Sequence, residues 1–208
     1  TSNLYNINVI THHNYPSLMD HIGSGKDWDL ARRSGGIKIL PPYITAYANN
    51  INALYRTRLE ALKSVNYSIS RIKDEYVIMS DCDVICNVDF NDILENHIKT
   101  GADVTLAVKS VDLTPESAKI NVLFDSDEDG RVRDILSYPT QFTGRADIGL
   151  NIVVMRTEYL KQIVLDAFAH NYTSLTSDIL ARNMQNRNYR VYKYDGYFAC
   201  ISSFADYY

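Results

Sequence analysis

The chain reads as a three-layer α/β protein on a mixed, mostly parallel sheet, and three observations carry that reading. Short apolar runs rich in Val and Ile alternate with segments whose apolar residues recur every three or four positions. Their order, strand–helix–strand–helix–strand, is that of an open sheet covered by helices. One late pair of strands is joined by a tight acidic turn, which adds a hairpin to the parallel arrangement. Right-handed crossovers then put a functional crevice at the carboxyl ends of the parallel strands.

Each element has its own signal. Ile7 to Thr11 is a short β-branched strand, and Ser17 to His21 a helix with Leu18 and Ile22 four apart, stopped by Gly23 and Gly25. "GGIKILPPY" is another brief strand, ended where Pro42 forces Pro41 out of helical geometry. A helix is expected from Asn50 to Leu62, because Ile51, Leu54, Tyr55, Leu59 and Leu62 share one face. "EYVIMS" is a central strand running into Asp81, and Asn91 to Lys99 a helix with Ile93, Leu94 and Ile98 inward and Gly101 as its stop. "ADVTLAVKSVD" is a strand suited to burial on both faces. "INVLFDSDEDGRVRDIL" is the hairpin, with "EDG" as its turn, and "DIGLNIVVMR" is a further strand. Helices are expected over Glu158 to Phe168 and Thr176 to Asn183, the latter capped by Ser174 or Thr176, before "YRVYKYDGYF" as a last strand.

Composition bounds the function. The 208 residues carry 21 basic and 25 acidic side chains, a net charge of −4, which argues against a nucleic-acid partner. At 46% hydrophobic and 22% charged, the chain has the make-up of a globule and not of a disordered segment. No apolar run approaches the roughly 20 residues that span a bilayer, and no signal peptide opens the chain, so no membrane role is expected. Cys82, Cys86 and Cys200 cannot all pair internally, which favours a reducing, cytoplasmic setting. Both ends read as cut from a longer chain, and no linker demands a second domain.

The sharpest chemical feature is "VIMSDCDVICNVDF". Asp81 and Asp83 are two apart at a strand end, where alternate residues share a face, and Asp89 follows. Carboxylates at such a mouth hold a divalent cation against phosphates, or they simply cap the next turn. Cys82 and Cys86 lack the remaining ligands of a zinc site and read as core or turn residues. His12, His13 and His21 have neither metal-ligand spacing nor a nucleophile beside them, and "DSDEDG" lacks a calcium loop's closing Glu. Sixteen tyrosines against six phenylalanines suit interfaces or sugar-facing clefts, or reflect drift in composition.

Taken in order, "INVITHHNYPSLMDHIGSGKDWDL", "YVIMSDCDVICNVDF", "GLNIVVM", "SLTSDIL" and "GYFACISSFADYY" resemble the nucleotidyltransferase domain of bacterial glucose-1-phosphate adenylyltransferase, or ADP-glucose pyrophosphorylase. Within it the chain is most similar to the GlgD-type regulatory subunit of glycogen biosynthesis. The resemblance covers essentially all of the chain. It implies a nucleotide-diphospho-sugar transferase sheet lacking its first strand–helix unit. It also implies that residues 1–208 are a partial domain without the amino-terminal nucleotide loop and the carboxy-terminal β-helix domain.

By resemblance, Asp81 matches the aspartate that holds Mg²⁺, while the second metal carboxylate falls on Cys200. Asn49, Asn52, Asp83 and Gly149 take the nucleotide- and sugar-facing positions, Asn49 and Asn52 standing where the family has Gly and Asp. The lysine that contacts the sugar phosphate falls between Leu136 and Thr143, a stretch with no lysine. These departures imply a weakly or non-catalytic subunit. Its partner would be the catalytic adenylyltransferase subunit, in a hetero-oligomer, by analogy a tetramer, with ATP, ADP-glucose or glucose 1-phosphate as possible ligands. An active adenylyltransferase, with Lys109 or Arg145 replacing the lysine, and a sugar-nucleotide-binding module remain the alternatives.

Overall fold

The computed structural model describes residues 4–11, 15–32, 35–41, 55–201 and 203–207. The chain forms two compact units, 1–72 with 164–174, and 73–163 with 175–208.

The smaller unit opens with a parallel pair, β1 (Asn6–Ile10) and β2 (Gly36–Leu40), in the register Asn6 to Gly36 through Ile10 to Leu40. Between them lies α1 (Pro16–Ile22), with proline in its first turn and Gly23 closing it at φ 52°. Gly36 has no substitute, since a Cβ there would lie 2.4 Å from the Leu30 carbonyl oxygen. The helix expected from Asn50 starts, among described residues, only at α2 (Arg58–Ser64) and resumes as α3 (Asn66–Ser70). Its start is fixed by a reciprocal cap. The Glu60 amide donates to Thr57 Oγ1 at 3.2 Å, and the Thr57 amide to Glu60 Oε2 at 3.2 Å. Leu59, Leu62 and Ile69 are the buried residues of this pair.

The larger unit is built on a six-stranded mixed sheet. Its strands are β3 (Tyr76–Met79), β5 (Val104–Leu113), β6 (Val122–Ser126), β7 (Val132–Ser137), β8 (Gly144–Arg156) and β9 (Tyr189–Lys193). A separate two-stranded ribbon joins β4 (Val84–Cys86) to β10 (Phe198–Cys200). In the large sheet the order is β7-β6-β8-β5-β9, with β3 also on β8. Long β8 pairs antiparallel with β3, β5 and β6, and β9 lies parallel to β5. Hence β3, β5, β6 and β9 run one way, and β7 and β8 the other. The acidic turn forms as expected, with the Gly130 amide on the Asp127 carbonyl at 2.9 Å, and its tip docks on β9 where the Val191 amide reaches the Gly130 carbonyl at 2.8 Å.

Helix α4 (Phe90–Thr100) is begun by Asp89, whose carboxylate accepts from the Asn91 amide, and ended by Gly101 in the left-handed region. Its Ile93 joins Ala107, Leu150, Ile152 and Val154 in a fully buried cluster. The expected inward face needs one correction: Ile98 is 53% exposed, and His97, one position earlier and four from Ile93, is buried. Helical geometry turns positions four apart to the same side, and Thr105 gives the ring a polar partner. Tyr192 packs on that same cluster, so Tyr189, three positions back on β9, faces the opposite side. There its hydroxyl meets that of Tyr159 on α6 (Thr157–Ala169), 2.7 Å away. Helices therefore cover both faces of the sheet.

Three further elements depart from the sequence expectation. A short α5 (Pro115–Ala118) follows β5, capped by Thr114. The segment expected as a helix over Thr176 to Asn183 forms a π-helical turn, Leu175–Leu180, then α7 (Ala181–Asn183). The last predicted strand divides into β9 and β10 at Asp195 and Gly196 before α8 (Phe204–Tyr207), so its two halves serve different sheets.

Candidate functional site

The β4–β10 ribbon assembles the site within the larger unit. Its register sets Phe198 opposite Cys86, Ala199 opposite Ile85 and Cys200 opposite Val84. Cys86 and Phe198 pack inward on the Ile93 cluster, while Ile85, next to Cys86 on β4, faces out, 48% exposed. Alternation then turns Cys200, two positions from Phe198, to the inward side. The Ile201 amide donates to the Asp83 carbonyl at 2.8 Å, which extends the pairing past the strand end. Cys200 Sγ thereby comes 3.5 Å from Asp83 Oδ2 and donates to it.

Burial pushes the Cys200 thiol up to about 11, with the Asp83 charge and hydrogen bond and the nearby Asp206 and Asp81 carboxylates adding to the shift. It is a neutral thiol at physiological pH. The other Asp83 oxygen, Oδ1, is shut off from solvent and has no hydrogen-bond partner among the described residues. Asp81 lies just past β3, and Asp83 in the turn that enters β4. The turn brings both carboxylates toward Cys200, and strand alternation, the expected cause, does not apply.

A loop over residues 194–197 delivers β10. The Tyr194 amide donates to the Val108 carbonyl at 2.9 Å. The Tyr194 hydroxyl accepts from the Asn87 amide at 3.2 Å and donates to the Tyr197 carbonyl at 3.1 Å. Lys109 donates its ammonium to the Asp195 and Gly196 carbonyls. Lys109 therefore anchors this loop. Arg145, the other cation considered, is exposed on β8 opposite Asp112. Gly149 leaves room for the Phe124 ring, since a Cβ would sit 2.8 Å from Phe124 Cε2. Asn49 and Asn52, like His12 and His13, lie outside the described residues.

The sequence reading missed Asp206, whose Oδ2 accepts from the Ser203 amide at 2.8 Å and the Ser203 hydroxyl at 2.9 Å. Its signal was local, a Ser followed three residues later by an acid at the start of α8. Asp89 proves to be a helix cap.

The Mg²⁺ implied by the resemblance needs hard oxygen ligands. Here one Asp83 oxygen is engaged by a thiol, the other is enclosed, and Cys200 offers neutral sulfur. These residues do not fit a two-carboxylate clamp. Among the described residues, no group of three His, Cys, Asp or Glu side chains is placed to hold a cation. Nor is any helix among them long and apolar enough to cross a membrane.

The mixed sheet covered on both faces is the architecture of the nucleotide-diphospho-sugar transferases. HddC from Yersinia pseudotuberculosis is similar in structure, with a TM-score of 0.70 at 15% identity over 100% of this chain and 77% of that one, a likeness of fold. A family model described as "Nucleotidyl transferase" matches residues 2–196, and the chain belongs to that family. It is related to the glucose-1-phosphate adenylyltransferases. That of Thermotoga neapolitana is 28% identical over 99% of this chain and 48% of its own length, and that of Clostridium acetobutylicum 28% identical over 97% and 52%. The chain thus spans about half the length of the curated relatives it matches.

Proposed function

We propose that this chain belongs to a regulatory, weakly or non-catalytic subunit of a glucose-1-phosphate adenylyltransferase, whose holoenzyme makes ADP-glucose and pyrophosphate from ATP and glucose 1-phosphate. The observation that carries the reading is the thiol of Cys200, hydrogen-bonded to Asp83 where the resemblance expects a metal carboxylate.

Transfer of an adenylyl group puts negative charge on the α-phosphate and brings up a second, anionic phosphate as acceptor. Mg²⁺, where an adenylyltransferase holds it, supplies that neutralisation. This chain keeps Asp81 as a single carboxylate. It has no lysine between Leu136 and Thr143, and the Lys109 ammonium is directed at main-chain carbonyls. Each lost charge contact removes several kcal/mol of transition-state stabilisation, or orders of magnitude in rate. A site with these charge contacts missing binds better than it transforms. Asn49, Asn52 and Gly149 are the proposed nucleotide- and sugar-facing positions, and the catalytic subunit is the proposed partner, in a hetero-oligomer such as a tetramer, in the cytoplasm.

Pyrophosphate release from ATP and glucose 1-phosphate, measured for the full-length protein alone and mixed with the catalytic subunit, tests the reading. Little turnover alone, with altered turnover or effector response in the mixture, is expected. Robust turnover alone that disappears in Asp81→Asn would establish an active enzyme instead.

A further inference from the structure

We infer that the Cys200 thiol, standing where the resemblance expects the second carboxylate of a metal pair with Asp81, is tied instead to Asp83 by a hydrogen bond, so that this chain meets phosphate ligands there without a bridging divalent cation. The inference deepens the regulatory reading and rests on it for the identity of the ligand.

Three features of the ribbon support it. The register of Cys200 opposite Val84 and the Ile201 amide on the Asp83 carbonyl fix the backbone on both sides of the contact. Of the two Asp83 oxygens, Oδ1 is shut off from solvent and Oδ2 accepts from Sγ at 3.5 Å. The carboxylate of Asp206 is no substitute, because Oδ2 is engaged by the Ser203 amide and hydroxyl at the start of α8. What remains is Asp81. One carboxylate beside a soft sulfur is a poor seat for Mg²⁺, which dehydrates reluctantly and takes hard oxygens in near-octahedral geometry. A donated S–H hydrogen instead offsets part of the charge of Asp83 and ties the turn after β3 to β10.

The test is a Mn²⁺ titration of the full-length protein, followed by the EPR signal of the free ion, on wild type, Asp83→Asn, Cys200→Ser and Cys200→Asp. Wild type, Asp83→Asn and Cys200→Ser are expected to take up Mn²⁺ equally weakly, and Cys200→Asp to bind at least about tenfold tighter. Uptake by wild type that drops about tenfold in Asp83→Asn overturns the inference, as does a folded Cys200→Asp that gains nothing. Raman spectroscopy gives a second readout that needs no folded acidic variant. The S–H stretching band assigned to Cys200 by its loss in Cys200→Ser should lie at lower frequency than that of a free thiol. A band at the free-thiol position overturns the thiol hydrogen bond to Asp83. Mn²⁺ binding through Asp83 together with a preserved effect on the catalytic subunit would sink this inference and leave the regulatory role intact. No uptake and no effect on that subunit would sink the role alone.

Discussion

Two polar contacts in the larger unit follow the same local plan in different surroundings. Under α4, His97 Nδ1 and the Thr105 hydroxyl lie 2.8 Å apart, both residues buried, with the Tyr76 ring edge-on at 5.5 Å. At the ribbon end, Cys200 and Asp83 are 3.5 Å apart and only half-buried. Each contact leaves one atom without a hydrogen-bond partner among the described residues, His97 Nε2 and Asp83 Oδ1. The first is buried, so its strength is spent on stability. The second lies beside a carboxylate turn, so its strength is spent on what the turn can hold. Burial, more than the bond itself, decides which role a polar pair takes.

The largest expected effect separates the two by stability. His97→Ala removes a packed ring and strands the Thr105 hydroxyl, and should cost about 2–4 kcal/mol by urea denaturation. Cys200→Ala, at a half-buried site, should stay within about 1 kcal/mol. Equal losses would erase the distinction.

A smaller effect sharpens it through pH. Burial holds His97 below the usual histidine range, the Arg156 charge adding to this and Asp103 opposing it. The unfolded chain takes up a proton below about pH 6.5 while the folded one resists. Stability from this group is therefore complete above that pH and is lost as the pH falls toward the depressed folded value. The loss should be absent in His97→Gln, read from denaturation midpoints across pH 5–8.

A further effect has the opposite sign. The Cys200 thiol is raised from 9.0 to about 11, so the folded state keeps its proton after the unfolded state has released it. Its contribution is complete below the ordinary thiol value and declines as the pH rises toward 11. The alkaline slope of wild type should exceed that of Cys200→Ala. Matching slopes between pH 9 and 11 would show that burial and the Asp83 contact do not hold the proton on the thiol.

Much of the fold was legible where the determinant is local. Gly101 ended α4, and "EDG" made the hairpin turn, because the conformations these residues permit do not depend on the rest of the chain. The reciprocal cap of Thr57 and Glu60 was also local, and an apolar periodicity that continued upstream hid it. At the site, Asp81 and Asp83 stood out because an apolar strand running into acids is visible in a line of letters. Their link to Cys200, 117 positions after Asp83, and the anchoring of Lys109 on Asp195 and Gly196 were not visible.

The alternation of strands and helices, the turn positions and the residue types available for chemistry are local properties, since side-chain periodicity and backbone preference act over a few residues. That one predicted strand serves two sheets, that His97 and not Ile98 faces the core, and that a thiol faces Asp83 are properties of the folded whole. Those outcomes depend on strand register and on which neighbours exclude water, and both are set by contacts between segments far apart in the chain.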